Sequence, residues 1–257
     1  MAITLRSVAQ MSGKRCKKSL FLIPYCFTFA NAFFGFISVI EALQGNLVKA
    51  ACYIGLAACA DALDGRLARA FGSSSYLGAE LDGLCDAISF CFAPTILIYS
   101  LFQENIPSVG VGILGLYLCA GLFRLAKFNV TQSSSKAYFS GLSTPVSAFF
   151  LATLVLYYDW FAQSCLWFLV EVHGIMFVVS ILSILMISTI PFYSFKGTCY
   201  SHSLVYLIAA YGSLLIIASL QWGIPILFLL LAAYIGFSIV AWLIVPGKIG
   251  KKIKKMG

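Results

Sequence analysis

Four aspartates carry the chemistry this sequence can do. Asp61, Asp64, Asp82 and Asp86 lie in the stretch DALDGRLARAFGSSSYLGAELDGLCD, which contains five of the nine acidic residues of the chain. Asp61 and Asp64 are three apart and Asp82 and Asp86 four apart, so each pair shares one face of a helix. The short polar connection Gly72-Ser73-Ser74-Ser75 makes the two helices antiparallel neighbours, and their carboxylates can converge. Uncompensated, four such groups would repel one another. Hard divalent cations resolve this, because Mg²⁺ and Mn²⁺ prefer oxygen ligands and bind together with phosphate groups. Four carboxylates suit a two-metal clamp on a phosphoryl displacement. Arg66 and Arg69, one turn along, can neutralise a diphosphate, and Gly65 leaves the backbone open to a bulky group. Glu80 reads as an ordinary solvated carboxylate and stays outside this set.

The elements that position these groups are membrane spans. Of 257 residues, 61% are hydrophobic and 10% charged, with a mean hydropathy of +0.96. A soluble chain of this length needs far more polar surface. At about 20 apolar residues per spanning helix, apolar runs between turn signals give eight candidate spans. They cover about 20–43, 47–70, 77–102, 108–128, 141–161, 165–187, 203–220 and 223–245. Gln44-Gly45-Asn46, Glu104 to Pro107, Thr131 to Ser135 and Pro246-Gly247 separate them. The expected fold is an all-α polytopic membrane protein.

Cations set its orientation. With the N-terminus inside, the inner segments contain Arg66, Arg69, Arg124, Lys127, Lys136, Lys196 and the tail lysines, and the outer side has only Lys49. Both termini are therefore expected in the cytosol, with the aspartates at the cytosolic rim. The basic segment 1–19 reads as an anchor on anionic lipid rather than a cleavable signal or a nucleic-acid site. Nine scattered cysteines without a CxxC pair suggest neither a disulfide framework nor a zinc site. Intramembrane carboxylates also occur in secondary transporters. Here they cluster at one face, and the C-terminal half has no second copy of the pattern.

The full pattern, Asp61, Asp64, Gly65, Ala68, Arg69, Gly78, Asp82 and Asp86, resembles the D-x2-D-G-x2-A-R-x8-G-x3-D-x3-D signature of the CDP-alcohol phosphatidyltransferases with every spacing kept. At average residue usage a chance match has a probability on the order of 10⁻⁷, which excludes coincidence. The resemblance implies two divalent ions, Mg²⁺ or Mn²⁺. It puts Asp61 and Asp82 between both, Asp64 on one and Asp86 on the other. It also makes Asp86 the general base for an acceptor hydroxyl. Gly65 and Arg69 are expected to contact cytidine and phosphates, and Ser75 a phosphate or the nucleotide. A nucleotide-binding stretch maps onto Pro24–Thr28, bringing in Tyr25 and Thr28.

Three further segments resemble the branch of that family that makes phosphatidylserine: Pro24 to Asn31, Arg124 to Asn129 with Phe139 to Pro145, and Met186 to Thr189 with Ser194 to Lys196. Tyr25 replaces an asparagine and Lys127 an arginine. Ser143 replaces a proline, which is expected to loosen the turn entering the fifth span. The branch implies CDP-diacylglycerol and L-serine as substrates, CMP as product and a homodimer in a bacterial or archaeal plasma membrane. The catalytic core is expected over 20–196, two further spans over 197–246 and a basic tail over 247–257. Arg124, Asn129 and Thr144 are candidate serine contacts, with positive-inside anchoring as the plain alternative for Arg124. Glycerol 3-phosphate and inositol phosphate are the other acceptors. A phosphorylated acceptor calls for several arginines near spans 4 to 6, where Arg124 stands with only Lys127, Lys136 and Lys196.

Overall fold

A computed structural model describes residues 22–71, 76–131, 138–188, 191–193 and 225–244. Helix α1 (Leu22–Leu43) turns at Gly45 into α2 (Leu47–Phe71). Gly45 has a φ of 81°, a conformation glycine adopts without the penalty of a Cβ. The two helices pack along each other on small side chains: Ala42, Ala50, Ala51 and Ala57 are buried there with Ile54. Close approach over small residues is how helices associate where lipid supplies no hydrophobic drive. The Ser38 hydroxyl donates to the Ala50 carbonyl at 2.8 Å, so this polar group crosses between the helices. Phe29, Phe33, Phe36, Ile40 and Leu43 repeat at helical spacing on the outer face of α1 and stay exposed. Such a stripe suits lipid contact better than water.

The third expected span is one continuous rod with a changed pitch. Helix α3 (Tyr76–Asp86) passes into a π-helical segment, Ala87–Phe92, and then into α4 (Ala93–Leu101). Pro94, at the start of α4, carries no N–H for the Phe90 carbonyl four residues earlier. That oxygen accepts the Tyr117 hydroxyl at 3.4 Å, and Tyr117 in turn accepts from Ser147 at 3.1 Å. Tyr117 lies on α5 (Ser108–Thr131) and Ser147 on α6 (Thr144–Leu156), so a buried polar chain ties three helices at the π segment. Gly121 lets α5 approach closely there, since a Cβ would fall 2.5 Å from Cys91 Sγ.

The remainder corrects the expected spans. The fifth, 141–161, is α6 followed by the short α7 (Tyr158–Gln163), broken at Tyr157. The sixth, expected at 165–187, begins later, as α8 (Val172–Ile187). Trp167–Leu169 form a 3₁₀ turn and Glu171 is extended. Gly174 admits this turn, because a Cβ there would collide with the Phe168 carbonyl oxygen. The all-α expectation also missed a small ribbon: β1 (Tyr138–Ser140) pairs antiparallel with β2 (Pro191–Tyr193). Beside it, Gly141 (φ 87°) and the bond from Leu142 N to the Leu185 carbonyl, 3.0 Å, pin the turn that Ser143 was expected to loosen. Helix α9 (Ile226–Ile244) packs on α6 and falls within the range expected for the eighth span.

By length and composition, Tyr25–Leu43, Leu77–Leu101 and Ser108–Val130 can cross a membrane, and α6, α8 and Ile226–Phe237 are shorter apolar helices. The seventh expected span and both basic termini lie outside the described residues.

Candidate active site

The carboxylates meet where α2 and α3 face each other. Asp61, Asp64 and Asp82 each offer an oxygen, and these atoms lie within 4.8 Å of one another. Asp64 is buried, at 5% exposure, while Asp61 and Asp82 are half-buried. Three hard oxygen donors at this separation are a donor set that fits a divalent cation. Gly65 lies beside them on α2, and a Cβ at that position would meet nothing within 4 Å. The open backbone expected from the sequence is therefore present.

Asp86 stands apart from this trio. It ends α3 and is buried, with 9% exposure, and its Oδ1 accepts a hydrogen bond from Asn31 Nδ2 at 2.9 Å. Asp61, Asp82 and Asp64 all act on it electrostatically. Asn31 is on α1, and its backbone carbonyl accepts the Ser89 hydroxyl at 2.9 Å from the π segment. Gly35, one turn further along α1, allows the contact, since a Cβ there would strike Ser89. The π segment is thus fixed to α1 and α5 immediately after Asp86. Such segments recur at functional sites.

Helix α5 supplies the next wall. The Arg124 guanidinium donates through Nη1 to Thr144 Oγ1 at 3.0 Å, and its Nε is buried with no acceptor among the described residues. Asp86 acts on Arg124 electrostatically, which puts the cation on the acidic side of the bundle. Asn129 packs against Gly83, next to Asp82: a Cβ on Gly83 would lie 2.9 Å from Asn129 Nδ2. Arg124 and Asn129 therefore lie on the side of the bundle that carries the aspartates, and Thr144 is linked to that side through its bond from Arg124. Tyr25 is half-buried on α1, and Thr28, three residues before Asn31, is buried on the same helix. Arg69 is on α2, but its side chain and Ser75 lie outside the described residues.

Sequence reasoning missed one member of the site. Asn31 was part of a resemblance but held no role, and its partner lies 55 residues away on another helix. The available signal was an amide in the middle of an apolar run, three residues beyond Thr28.

The model of the CDP-alcohol phosphatidyltransferase family matches residues 21–249. The chain belongs to this family. As a CDP-alcohol phosphatidyltransferase it is an enzyme of phospholipid synthesis and an integral membrane protein. A CDP-diacylglycerol–serine O-phosphatidyltransferase of Helicobacter pylori is 30% identical over 234 residues, covering 90% of this chain and 94% of that protein. An archaetidylserine synthase of Methanothermobacter thermautotrophicus is 31% identical over 178 residues, 68% of this chain and 70% of its own. A yeast (Saccharomyces cerevisiae) CDP-diacylglycerol–serine O-phosphatidyltransferase is 38% identical over 136 residues, 47% of this chain and 48% of its own.

Proposed function

We propose that this CDP-alcohol phosphatidyltransferase transfers the phosphatidyl group of CDP-diacylglycerol to L-serine, giving phosphatidylserine and CMP. Its relatives bearing a serine transferase name support the acceptor. The observation that carries the reading within the chain is a buried carboxylate, Asp86, in electrostatic reach of a half-buried cation, Arg124, beside the acidic trio. Serine presents a hydroxyl to be deprotonated and a carboxylate to be neutralised, and the two groups match those needs.

In the proposed reaction the serine oxygen forms a bond to the phosphorus bearing the diacylglycerol. The bond from that phosphorus to the CMP oxygen breaks, and the hydroxyl proton passes to Asp86. Asn31 holds Asp86 Oδ1, so Oδ2 is the oxygen presented to the hydroxyl. Arg124, steadied by Thr144, takes the serine carboxylate, with Asn129 at the level of Asp82. Gly65 leaves room for the nucleotide, and Tyr25, Thr28, Arg69 and Ser75 are assigned to its contacts. Two Mg²⁺ or Mn²⁺ ions, held by Asp61, Asp64 and Asp82 with Asp86 at their edge, would supply charge neutralisation of the diphosphate when bound. The burial of Asp86 among apolar helices keeps bulk water from competing with serine. Eight spans, cytosolic termini, a cytoplasmic active site in a plasma membrane and a homodimer belong to the same proposal.

The test is detergent-purified protein with CDP-diacylglycerol and Mn²⁺ or Mg²⁺, with CMP release followed while serine, glycerol 3-phosphate or inositol phosphate is supplied singly. Serine-dependent release is the expected result. Release with a different alcohol overturns the acceptor, and release with none of them overturns the reaction.

A further inference from the structure

We infer that Asn31 recognises the ammonium group of the acceptor, with its carboxamide spanning the base on one side and the substrate on the other. The inference rests on the serine reading above and names a residue for the part of serine that Arg124 and Asp86 leave unmatched. Asn31 is fully buried, at 0% exposure, on the face of α1 that meets Asp86. A carboxylate only accepts hydrogen bonds, so the amide must turn its nitrogen to Asp86 and its oxygen away. That oxygen, Oδ1, is buried and receives no hydrogen bond from any described residue. Buried acceptors left without a donor are rare and costly, and one beside a catalytic carboxylate calls for a ligand that donates.

The geometry selects the donor. Nδ2 and Oδ1 share one planar group, so a molecule whose hydroxyl meets Asp86 brings its neighbouring substituents next to Oδ1. On serine, one of these is an α-ammonium, a charged donor. The other is a carboxylate, which Oδ1 would repel and which finds Arg124. The Arg124 Nε is itself a buried donor with no acceptor among the described residues. An unmet acceptor and an unmet donor thus both belong to residues in contact or in electrostatic interaction with Asp86, and together they complement a zwitterion. The Ser89 bond to the Asn31 carbonyl and the close fit of Gly35 fix the helix segment that carries this amide.

The experiment compares L-serine with 3-hydroxypropionate, which keeps the hydroxyl and carboxylate but lacks the amine, as acceptors for CMP release. The wild-type chain is expected to favour serine in kcat/KM by at least about 100-fold. In Asn31→Ala that preference should shrink by roughly 10- to 100-fold. Loss of the hold on Asp86 lowers both reactions together and leaves the ratio alone, so the ratio reports the ammonium contact. If both acceptors decline equally in Asn31→Ala, Asn31 only positions the base and the inference is overturned. A wild-type chain that uses both acceptors equally well overturns it without any variant. Wild-type CMP release with glycerol 3-phosphate and with neither of these two acceptors overturns the serine reading itself, a separate and recognisable outcome.

Discussion

The two sides of this active site are built differently. The rim, formed by Asp61, Asp64 and Asp82 with Gly65, comes from two consecutive helices and is partly open, with space over Gly65. The interior, formed by Asp86, Asn31, Arg124 and Thr144, draws on α1, α3, α5 and α6 and is mostly buried. A rim of this kind suits a large, charged nucleotide shared by every reaction of the family. An interior assembled from four helices can be changed one wall at a time, which suits choice among acceptor alcohols. On the proposed reading, the contiguous motif carries the common chemistry and the packing around Asp86 carries acceptor specificity.

The largest expected effect falls on the rim. Asp82→Asn should lower CMP release by roughly three orders of magnitude for every acceptor, and removal of divalent cations with a chelator should do the same to the wild-type chain. An Asp82→Asn variant impaired with serine alone would erase the distinction between the two sides. Next is Arg124→Ala, expected to raise the serine KM by roughly 10- to 100-fold while leaving the KM for CDP-diacylglycerol nearly unchanged. Steady-state kinetics with each substrate varied in turn checks this, and an unchanged serine KM leaves Arg124 as a topological anchor. The smallest effect belongs to Tyr117→Phe, which removes the hydroxyl between Ser147 and the Phe90 carbonyl. It should cost about 1 kcal/mol of stability, seen as a lower unfolding temperature in detergent, with a modest loss of kcat.

The same contrast explains what the sequence could disclose. The rim is local: its residues fall within 22 positions at helical spacing, so their types and separations were enough to bring them together. The same spacing singled out Asp86 as a candidate, but its environment was not legible, because Asn31 lies on a helix separated from it by all of α2. The π segment is invisible to hydropathy, since residues 77–102 read as one apolar run and only the partner offered by Tyr117 reveals what Pro94 costs. Hydropathy also misplaced the start of α8. Leu166 to Val170 are apolar enough to extend a span, yet the extended Glu171 and the close approach at Gly174 put a turn there. The ribbon of β1 and β2 joins segments some 50 residues apart, and no local pattern signals that pairing.

In the proposed reaction Asp86 takes the acceptor proton, and its replacement is the most direct test. The measurement is single-turnover CMP release from CDP-diacylglycerol with saturating serine, in the wild-type chain and in Asp86→Asn, alongside binding of the CDP-lipid to each. The account predicts retained lipid binding and a transfer rate lower by roughly 100- to 10,000-fold. Transfer at the wild-type rate in Asp86→Asn would contradict it.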